Sequence, residues 1–230
     1  MKFLTPVILS FFFMACQNQE VKIPVNDNHG LHEVWDNSRI YVLFQTENND
    51  TLADLKLGQT ISTTHWLVAV DKRLKLKHLT KALAKILKKR HKKSIHSKEG
   101  MHAYFTFLDS VQKKVSFIDF DSLQLMPEYF TSSSYFQEYP KADSGFQKYH
   151  LNIGRRHILL NDSIDVSGLS KTRIGDSLTR MIHTNKTPVK LYLNFEPEVY
   201  FDRFLDYYTF FKNNPALNKK LSPKIFIFTP

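Results

Sequence analysis

The sequence predicts an α/β protein of the α+β type, built from two small modules that each combine a sheet with helices. Of its 230 residues 42% are hydrophobic and 13% aromatic, with only 7 glycines, which is the composition of a packed protein. Short apolar segments typical of strands alternate with amphipathic segments that have the period of a helix. A stretch rich in serine and proline, 126–147, separates these segments into two groups and is the predicted linker.

The first module is predicted at 31–125. Its elements are expected in the order strand, strand, helix, strand and strand, at 39–45, 66–70, 74–87, 101–108 and 115–120. A polar turn at 47–50 follows the first strand. The short link 110–114 predicts that the last two strands pair as a hairpin.

The helix predicted at 74–87 carries the charge of the protein. Its apolar residues recur at spacings of three and four: Leu76, Leu79, Leu83, Ile86 and Leu87. Four lysines follow one another at i, i+4 on the opposite face: Lys77, Lys81, Lys85 and Lys89. Between residues 71 and 99, twelve lysines and arginines stand against two acids, so this stretch has a net charge of +10. Because the whole chain also carries +10, the remainder is neutral overall.

This lysine stripe indicates an anionic partner. Like charges at i, i+4 repel by about 0.2–0.5 kcal/mol per pair, so the stripe does not serve the stability of the helix. Phospholipid or lipopolysaccharide headgroups and an acidic protein are the partners we consider. We expect no nucleic acid, since no nucleic-acid-binding motif accompanies the charge. The alternative interpretation is a solvated helix face that binds nothing.

The second module is predicted at 148–230, with the order β-β-α-β-α-β. Its elements are expected at 149–153, 157–160, 170–185, 189–195, 199–211 and 225–228. The strand and helix at 66–87 resemble those at 189–211 in order and spacing, which suggests an internal duplication. Strand-loop-helix units are common, so this pattern alone does not establish one.

Residues 148–229 resemble the periplasmic domain of the ExbD/TolR family. The matching features are Asn161-Asp162-Ser163 after the hairpin, the strand at 189–195, the loop Glu196-Pro197-Glu198 before the second helix, and the ending at 225–229. The resemblance implies a dimer-forming domain that contacts envelope proteins or peptidoglycan. Family members carry a transmembrane helix with an acidic residue on a proton path. This chain is expected to have a lipid anchor in place of that helix, so only the binding module is expected to carry over.

The N-terminus has the layout of a secretory signal. Met1 and Lys2 give a positive start, and 3–14 is an apolar run ahead of Ala15 and Cys16. As a helix, this run would rise only about 18 Å, well short of the roughly 30 Å of a bilayer core. We therefore expect 1–15 to be a cleaved export signal.

The residues Phe13-Met14-Ala15-Cys16 resemble the lipobox of bacterial lipoprotein precursors. The resemblance implies cleavage before Cys16, a diacylglycerol on its thiol, and fatty acyl groups such as palmitate that hold the protein on a membrane of the cell envelope, with the outer membrane favoured. Cys16 is the only cysteine, so an internal disulfide is excluded. The alternative is an ordinary signal that happens to contain a cysteine. Residues 16–30 are predicted to be a flexible tether.

Motifs for catalysis, cofactors or metals are absent from the sequence. We find no Gly-rich phosphate loop, no G-x-S-x-G and no H-E-x-x-H. The histidines at 78, 91, 96 and 102 have no i, i+4 spacing that suits a metal. Two acid pairs, Asp119 with Asp121 and Glu196 with Glu198, are expected to lie in solvated turns or strand edges. We predict no catalytic residue, no metal ligand and no cofactor.

Two functional classes follow. The first is a membrane-anchored, non-catalytic module that binds an envelope protein, peptidoglycan or anionic lipid. A homodimer of this module belongs to the same class. The second is a lipid-anchored enzyme whose site is assembled from residues scattered along the sequence. We favour the first, because no motif supports chemistry.

Overall fold

The computed structural model describes residues 20–58, 60–92, 98–131, 145–161 and 163–229. Within these residues, twelve strands form two mixed sheets accompanied by four helices. The predicted fold class, an α+β protein with two sheet modules, is confirmed.

Sheet 1 is formed by the first half of the chain. Its strands are β1 (Val25–Asn26), β2 (Asn37–Glu47), β3 (Asp50–Lys56), β4 (His65–Val70), β5 (Ala103–Asp109) and β6 (Lys114–Asp119). The strand order is β1-β5-β4-β2-β3, and β6 also pairs with β5. Helix α1 (Leu76–Arg90) connects β4 to β5. The predicted hairpin of β5 and β6 is confirmed as an antiparallel pair.

Sheet 2 is formed by the second half. Its strands are β7 (Gln124–Thr131), β8 (Gln147–Ile153), β9 (Ile158–Leu160), β10 (Ile164–Asp165), β11 (Val189–Phe195) and β12 (Lys224–Thr229), in the order β10-β9-β8-β11-β12-β7. The helices are α2 (Lys171–Thr184), α3 (Phe201–Asn213) and the short α4 (Pro215–Asn218). The predicted order β-β-α-β-α-β is confirmed, with β10 and α4 as small additions.

The two halves share one topology. In each, an antiparallel hairpin (β2 and β3, or β8 and β9) is followed by two strands parallel to its first strand (β4 and β5, or β11 and β12). A helix connects these two strands, α1 in the first half and α3 in the second. The resulting orders, β3-β2-β4-β5 and β9-β8-β11-β12, correspond strand by strand. This correspondence supports the internal duplication suggested by the sequence.

The equivalent strand-to-helix turns of the two halves, 71–76 and 196–201, bind each other. The Leu76 N–H donates to Val199 O at 2.9 Å, and the Phe201 N–H donates to Leu74 O at 2.8 Å. Each turn also closes on itself in the same way, from Leu74 N–H to Asp71 O and from Val199 N–H to Glu196 O, both at 3.1 Å. The halves are therefore related by an approximate two-fold axis that passes between these turns.

One hydrophobic core joins the two modules. Buried side chains of both sheets and of all four helices belong to one continuous cluster, among them Val68, Phe105, Leu193 and Phe204. Helix α1 packs against β7 of sheet 2 as well as β3 of its own sheet. The chain is therefore a single cooperative body with two sheets.

The predicted tether is wrong for its described part, because residues of the 20–30 segment pair with sheet 1. Strand β1 (Val25–Asn26) pairs in parallel with the end of β5, and the Lys72 N–H donates to Lys22 O at 2.8 Å. Gly30 lies so close to β6 that a Cβ there would stand 2.7 Å from Phe117 O. This segment is held in place by hydrogen bonds of its backbone. Such bonds need no periodic pattern of apolar side chains, so the sequence did not indicate them.

The predicted linker and the module boundary at residue 125 are also wrong. Strand β7 starts at Gln124 and pairs with β12, so the second module begins before the predicted linker does. At the other end, β8 already starts at Gln147. Residues 132–144 lie outside the described part of the chain. Because this stretch contains many polar residues and prolines, its sequence did not indicate the strand at the edge of sheet 2.

Strand β3 was not predicted. The turn before it is the predicted polar one, and its residues Asn48 and Asn49 have φ values of 49° and 65°. Two asparagines with positive φ form a two-residue hairpin turn, so they oblige the chain to return beside β2. Strand β3 lies at the edge of sheet 1 and is only partly buried, which explains its weak apolar pattern.

We expect Leu74→Ala to destabilise both halves at once. Leu74 is fully buried at the two-fold axis, so its truncation should lower the free energy of unfolding by about 3 kcal/mol. Denaturant titration would measure this loss, and amide hydrogen exchange should quicken in β11 as well as β4. The control is Leu52→Ala on the exposed edge strand β3, where a smaller loss is expected. Unchanged protection in β11 would contradict the single-body description.

Candidate anionic-partner surface

Helix α1 places a basic face outward and an apolar face inward. Its buried residues are Leu76, Leu79, Thr80, Ala82, Leu83, Ile86 and Leu87. The outward face holds five exposed lysines and no acidic residue: Lys77, Lys81, Lys85, Lys88 and Lys89. A sixth basic residue of the helix, Arg90, has a side chain that is only 5% exposed. Three of these six lie in the last turn, where positive charge suits the helix dipole.

The N-terminus of α1 is capped by the other half of the chain. Its N-cap residue, Lys75, makes no side-chain capping bond. Instead the N–H groups of Leu76 and Lys77 donate to the carbonyls of Val199 and Pro197, at 2.9 and 3.0 Å. Two of the orphan donors of the helix are thus satisfied across the two-fold axis. Helix α1 is therefore fixed in orientation by sheet 2.

The four lysines predicted to contact a partner are not equivalent. Lys77 Nζ lies 2.6 Å from Glu198 Oε1, and Lys89 Nζ donates to Thr60 Oγ1 at 2.5 Å. Lys81 and Lys85 are exposed and form no ion pair with any described residue, and the same holds for Lys88. Of the predicted stripe of four, Lys77 alone is paired with an acid among the described residues, since the hydroxyl of Thr60 leaves the charge of Lys89 intact. The accessible charge lies on Lys81, Lys85, Lys88 and Lys89.

Glu198 neutralises the beginning of the basic face. Its carboxylate accepts from Lys75 Nζ at 2.5 Å and contacts Lys77. The hydrogen bonds from Lys75 and then Lys77 lower the pKa of Glu198 from its ordinary 4.5 to about 2. Glu196, the other member of this predicted acid pair, instead accepts from the Arg155 N–H and lies 2.8 Å from His157 Nε2. The two glutamates therefore do not converge on one site.

A cleft of about 650 Å³ opens at the carboxyl end of α1. Leu87, Leu123 and Leu125 contribute apolar walls. The charged and polar residues around it are Lys88, His91, His102, Asp119, Asp121, Ser122, Gln124 and Lys212. A cavity with apolar walls and converging polar groups is the usual form of a small-molecule site.

The histidines and aspartates of this cleft are paired. His102 Nδ1 lies 2.8 Å from Asp119 Oδ2, the distance of an ion pair, but without hydrogen-bond geometry. His91 Nε2 is 3.4 Å from Asp121 Oδ2, and Arg90 Nε is 3.7 Å from Asp121 Oδ1. Asp121 also accepts from the Ala103 N–H at 3.2 Å. Both aspartates therefore also hold the local structure together.

This cleft was not predicted from the sequence. The histidines were not associated with Asp119 and Asp121, although the predicted hairpin brings them together. The register of β5 with β6 pairs Tyr104 with Asp119 and continues towards His102 opposite Asp121. His91 and Lys88 arrive from the end of α1. That approach depends on the packing of the helix and has no sequence signature.

The remaining candidate sites from the sequence concern the lipid anchor, a metal site and a membrane span. Cys16, the proposed signal and His96 lie outside the described residues. Among residues that are described, no three His, Cys, Asp or Glu side chains are arranged to hold a metal ion. No helix in the described ranges is both long and apolar enough to cross a membrane.

Comparison with known proteins adds no relative. No protein family profile matches the chain, and no curated protein or solved structure is significantly similar to it. The functional interpretation rests on the residues themselves.

The Glu198 ion pairs should contribute a small, pH-dependent stabilisation. Because the pKa of Glu198 is lowered on folding, this contribution is present above pH 4.5 and is lost as the pH falls through about 2. The Glu198 side chain is 41% exposed, so solvent screening keeps the effect below about 1 kcal/mol. Unfolding titrations of wild type and Glu198→Gln should differ at neutral pH and converge near pH 2. Glu33→Gln, on an exposed loop, is the matched control. A constant difference across this range would contradict the assignment.

Proposed function

We propose that this protein is a lipid-anchored, non-catalytic binding module of a bacterial cell envelope, and that the outer face of α1 contacts an anionic surface. The observation that carries this proposal is a helix whose exposed face holds five lysines and no acid, while its apolar face is fully used in the core. In the middle of the helix, the charges of Lys81 and Lys85 gain nothing for the fold. A partner of opposite charge explains them.

Anionic lipid headgroups suit this surface best. Lys22 is bound to Asp71 and Lys72, beside the start of α1. Cys16 lies only six positions before Lys22, and six extended residues span at most about 22 Å. A lipid on Cys16 would therefore hold α1 close to headgroups, where each basic residue adds about 1 kcal/mol of attraction.

The resemblance of the second module to the ExbD/TolR periplasmic domain supports a binding role as well. Its order β-β-α-β-α-β agrees with that resemblance, and the partner there would be an envelope protein or peptidoglycan. A homodimer is part of the same proposal.

A lipid-anchored enzyme is the second candidate, and the cleft beside α1 favours it. His102 and Asp119 are drawn from β5 and β6, while Lys212 comes from α3. This is a site assembled from residues scattered along the sequence. In such an enzyme Asp119 would hold the ring of His102, which would act as the base.

Replacing Lys81, Lys85 and Lys88 together by Gln should abolish binding to anionic vesicles without lowering stability. At about 1 kcal/mol per lysine, the loss is about 100-fold in affinity at low salt. Vesicle co-sedimentation of residues 20–230 would measure it, with thermal unfolding alongside. The matched control exchanges three exposed lysines elsewhere, Lys113, Lys186 and Lys219, for the same change in net charge.

Two outcomes would contradict the lipid surface. Wild-type protein that ignores anionic vesicles even at low salt has no such partner. Equal losses in the two triple variants would mean that net charge, and not the face of α1, governs binding. Lys77→Gln should have a smaller effect than Lys81→Gln, because Glu198 already neutralises Lys77.

Cys16→Ala should block attachment of lipid and the processing that depends on it. Metabolic labelling with a radioactive fatty acid should mark the wild-type protein and leave the variant unlabelled. The variant should then accumulate as a slower-migrating precursor or appear as a soluble form. Normal labelling of the variant would refute the anchor.

A further inference from the structure

An apolar groove of about 460 Å³ runs across the outer face of sheet 1. It is lined by Val21, Ile23, Arg39, Tyr41, Leu67, Ala69, Thr106, Val115 and Phe117. Four of the six strands of the sheet supply its floor and sides, and the N-terminal segment supplies one rim. Arg39 is its single charged residue, so it is shaped for an apolar occupant.

The corresponding face of sheet 2 is closed to solvent. The strand correspondence places Asn152, Asn194 and Phe226 where sheet 1 has Tyr41, Ala69 and Thr106. These three sheet 2 residues are at most 3% exposed. On the same face, burial and then Lys148 lower the pKa of His150 to about 4. In sheet 1, by contrast, Tyr41 is 36% and Val115 45% exposed. The outer face of sheet 1 is thus open at its sides, at Tyr41 on β2 and Val115 on β6, while Ala69 between them is 8% exposed.

The chemistry of the groove favours a hydrocarbon chain over a peptide. The groove lies on the face of the sheet, where the backbone groups already pair with neighbouring strands. A peptide laid there would bury its own N–H and C=O groups without partners, at a cost of several kcal/mol in an apolar environment by general transfer data. An acyl chain has no such groups. It would gain from every methylene removed from water.

The N-terminal segment leads directly to the groove. Asp71 is fully buried, and its carboxylate accepts from the Lys22 N–H at 3.2 Å and from the Arg73 side chain at 2.9 and 2.6 Å. Burial raises the pKa of Asp71, but these hydrogen bonds outweigh it and hold the pKa below its ordinary value. The pinned backbone keeps Val21 and Ile23 on the rim. Cys16 is five residues before Val21, so its Cα reaches no farther than about 18 Å from there.

We infer that the groove holds one acyl chain of the lipid on Cys16, which lies back against sheet 1 instead of entering the bilayer. This inference rests on the proposed anchor. The open face of sheet 1 would then be covered by a group that is covalently attached to the same protein. The remaining acyl chains hold the protein on the membrane.

Single-cysteine labelling tests the occupancy of the groove. The lipidated thiol of Cys16 is blocked, so a cysteine introduced elsewhere is the only reactive one. Val115→Cys lies in the groove, and Tyr41→Cys on β2 is a second probe. Val111→Cys, in the exposed turn between β5 and β6, is the matched control. Each is compared between the lipidated protein and a mature chain with Cys16→Ser, in the same detergent, by the rate of maleimide labelling.

The groove probes should label at least tenfold more slowly in the lipidated protein than in the Cys16→Ser form, and the control should label equally in both. Equal rates at the groove probes in both forms would overturn the inference and leave the anchor intact. Slow labelling in both forms would also overturn it, since the occupant would then be a second copy or another cover. Mass spectrometry that finds no lipid on Cys16 would remove the anchor and the inference together.

Discussion

The fold depends on two backbone hydrogen bonds that the equivalent turns 71–76 and 196–201 exchange across the approximate two-fold axis. They join the starts of α1 and α3, because Val199 O accepts from the first N–H of α1 and Leu74 O accepts from the first N–H of α3. Leu74 and Val199 are fully buried beside them, so the same contact starts the shared core. In the first turn, Asp71 also binds the N-terminal segment. One contact therefore fixes both sheets, the basic helix and the entry of the chain.

The electrostatics of α1 follow from this arrangement. Repulsion among its lysines amounts to a few tenths of a kcal/mol per pair, roughly, whereas each fully buried Leu or Ile contributes about 1.5–3 kcal/mol. The helix therefore tolerates its basic face. The two-fold contact also brings Glu198 to Lys75 and Lys77. Charge is neutralised at the start of α1 and stays accessible along the rest of the helix, which places the proposed interaction surface on Lys81, Lys85, Lys88 and Lys89.

The two halves have the same topology but different surfaces. The outer face of sheet 2 carries His150, Asn152 and Asn194 and is buried, and Asn194 donates to Asn152 at 2.7 Å. The outer face of sheet 1 carries Leu67, Ala69 and Tyr41 and has an open groove. An apolar face that remains open to water costs free energy, which is why an exposed apolar groove is typical of a binding site.

The sequence by itself determined the fold class, most of the strands and helices, and the location of the charge, because these depend on local periodicity and composition. It also predicted the pairing of β5 with β6, since a short link leaves few other registers. Only the tertiary structure decided which lysines are accessible, since Glu198 lies 121 positions from Lys77 and reaches it only through the two-fold contact. The strand at Val25–Asn26, the strand β7 and the shared core were likewise decided by long-range backbone pairing and packing. Such pairing uses main-chain groups that every residue carries, so it leaves almost no mark on the order of side chains.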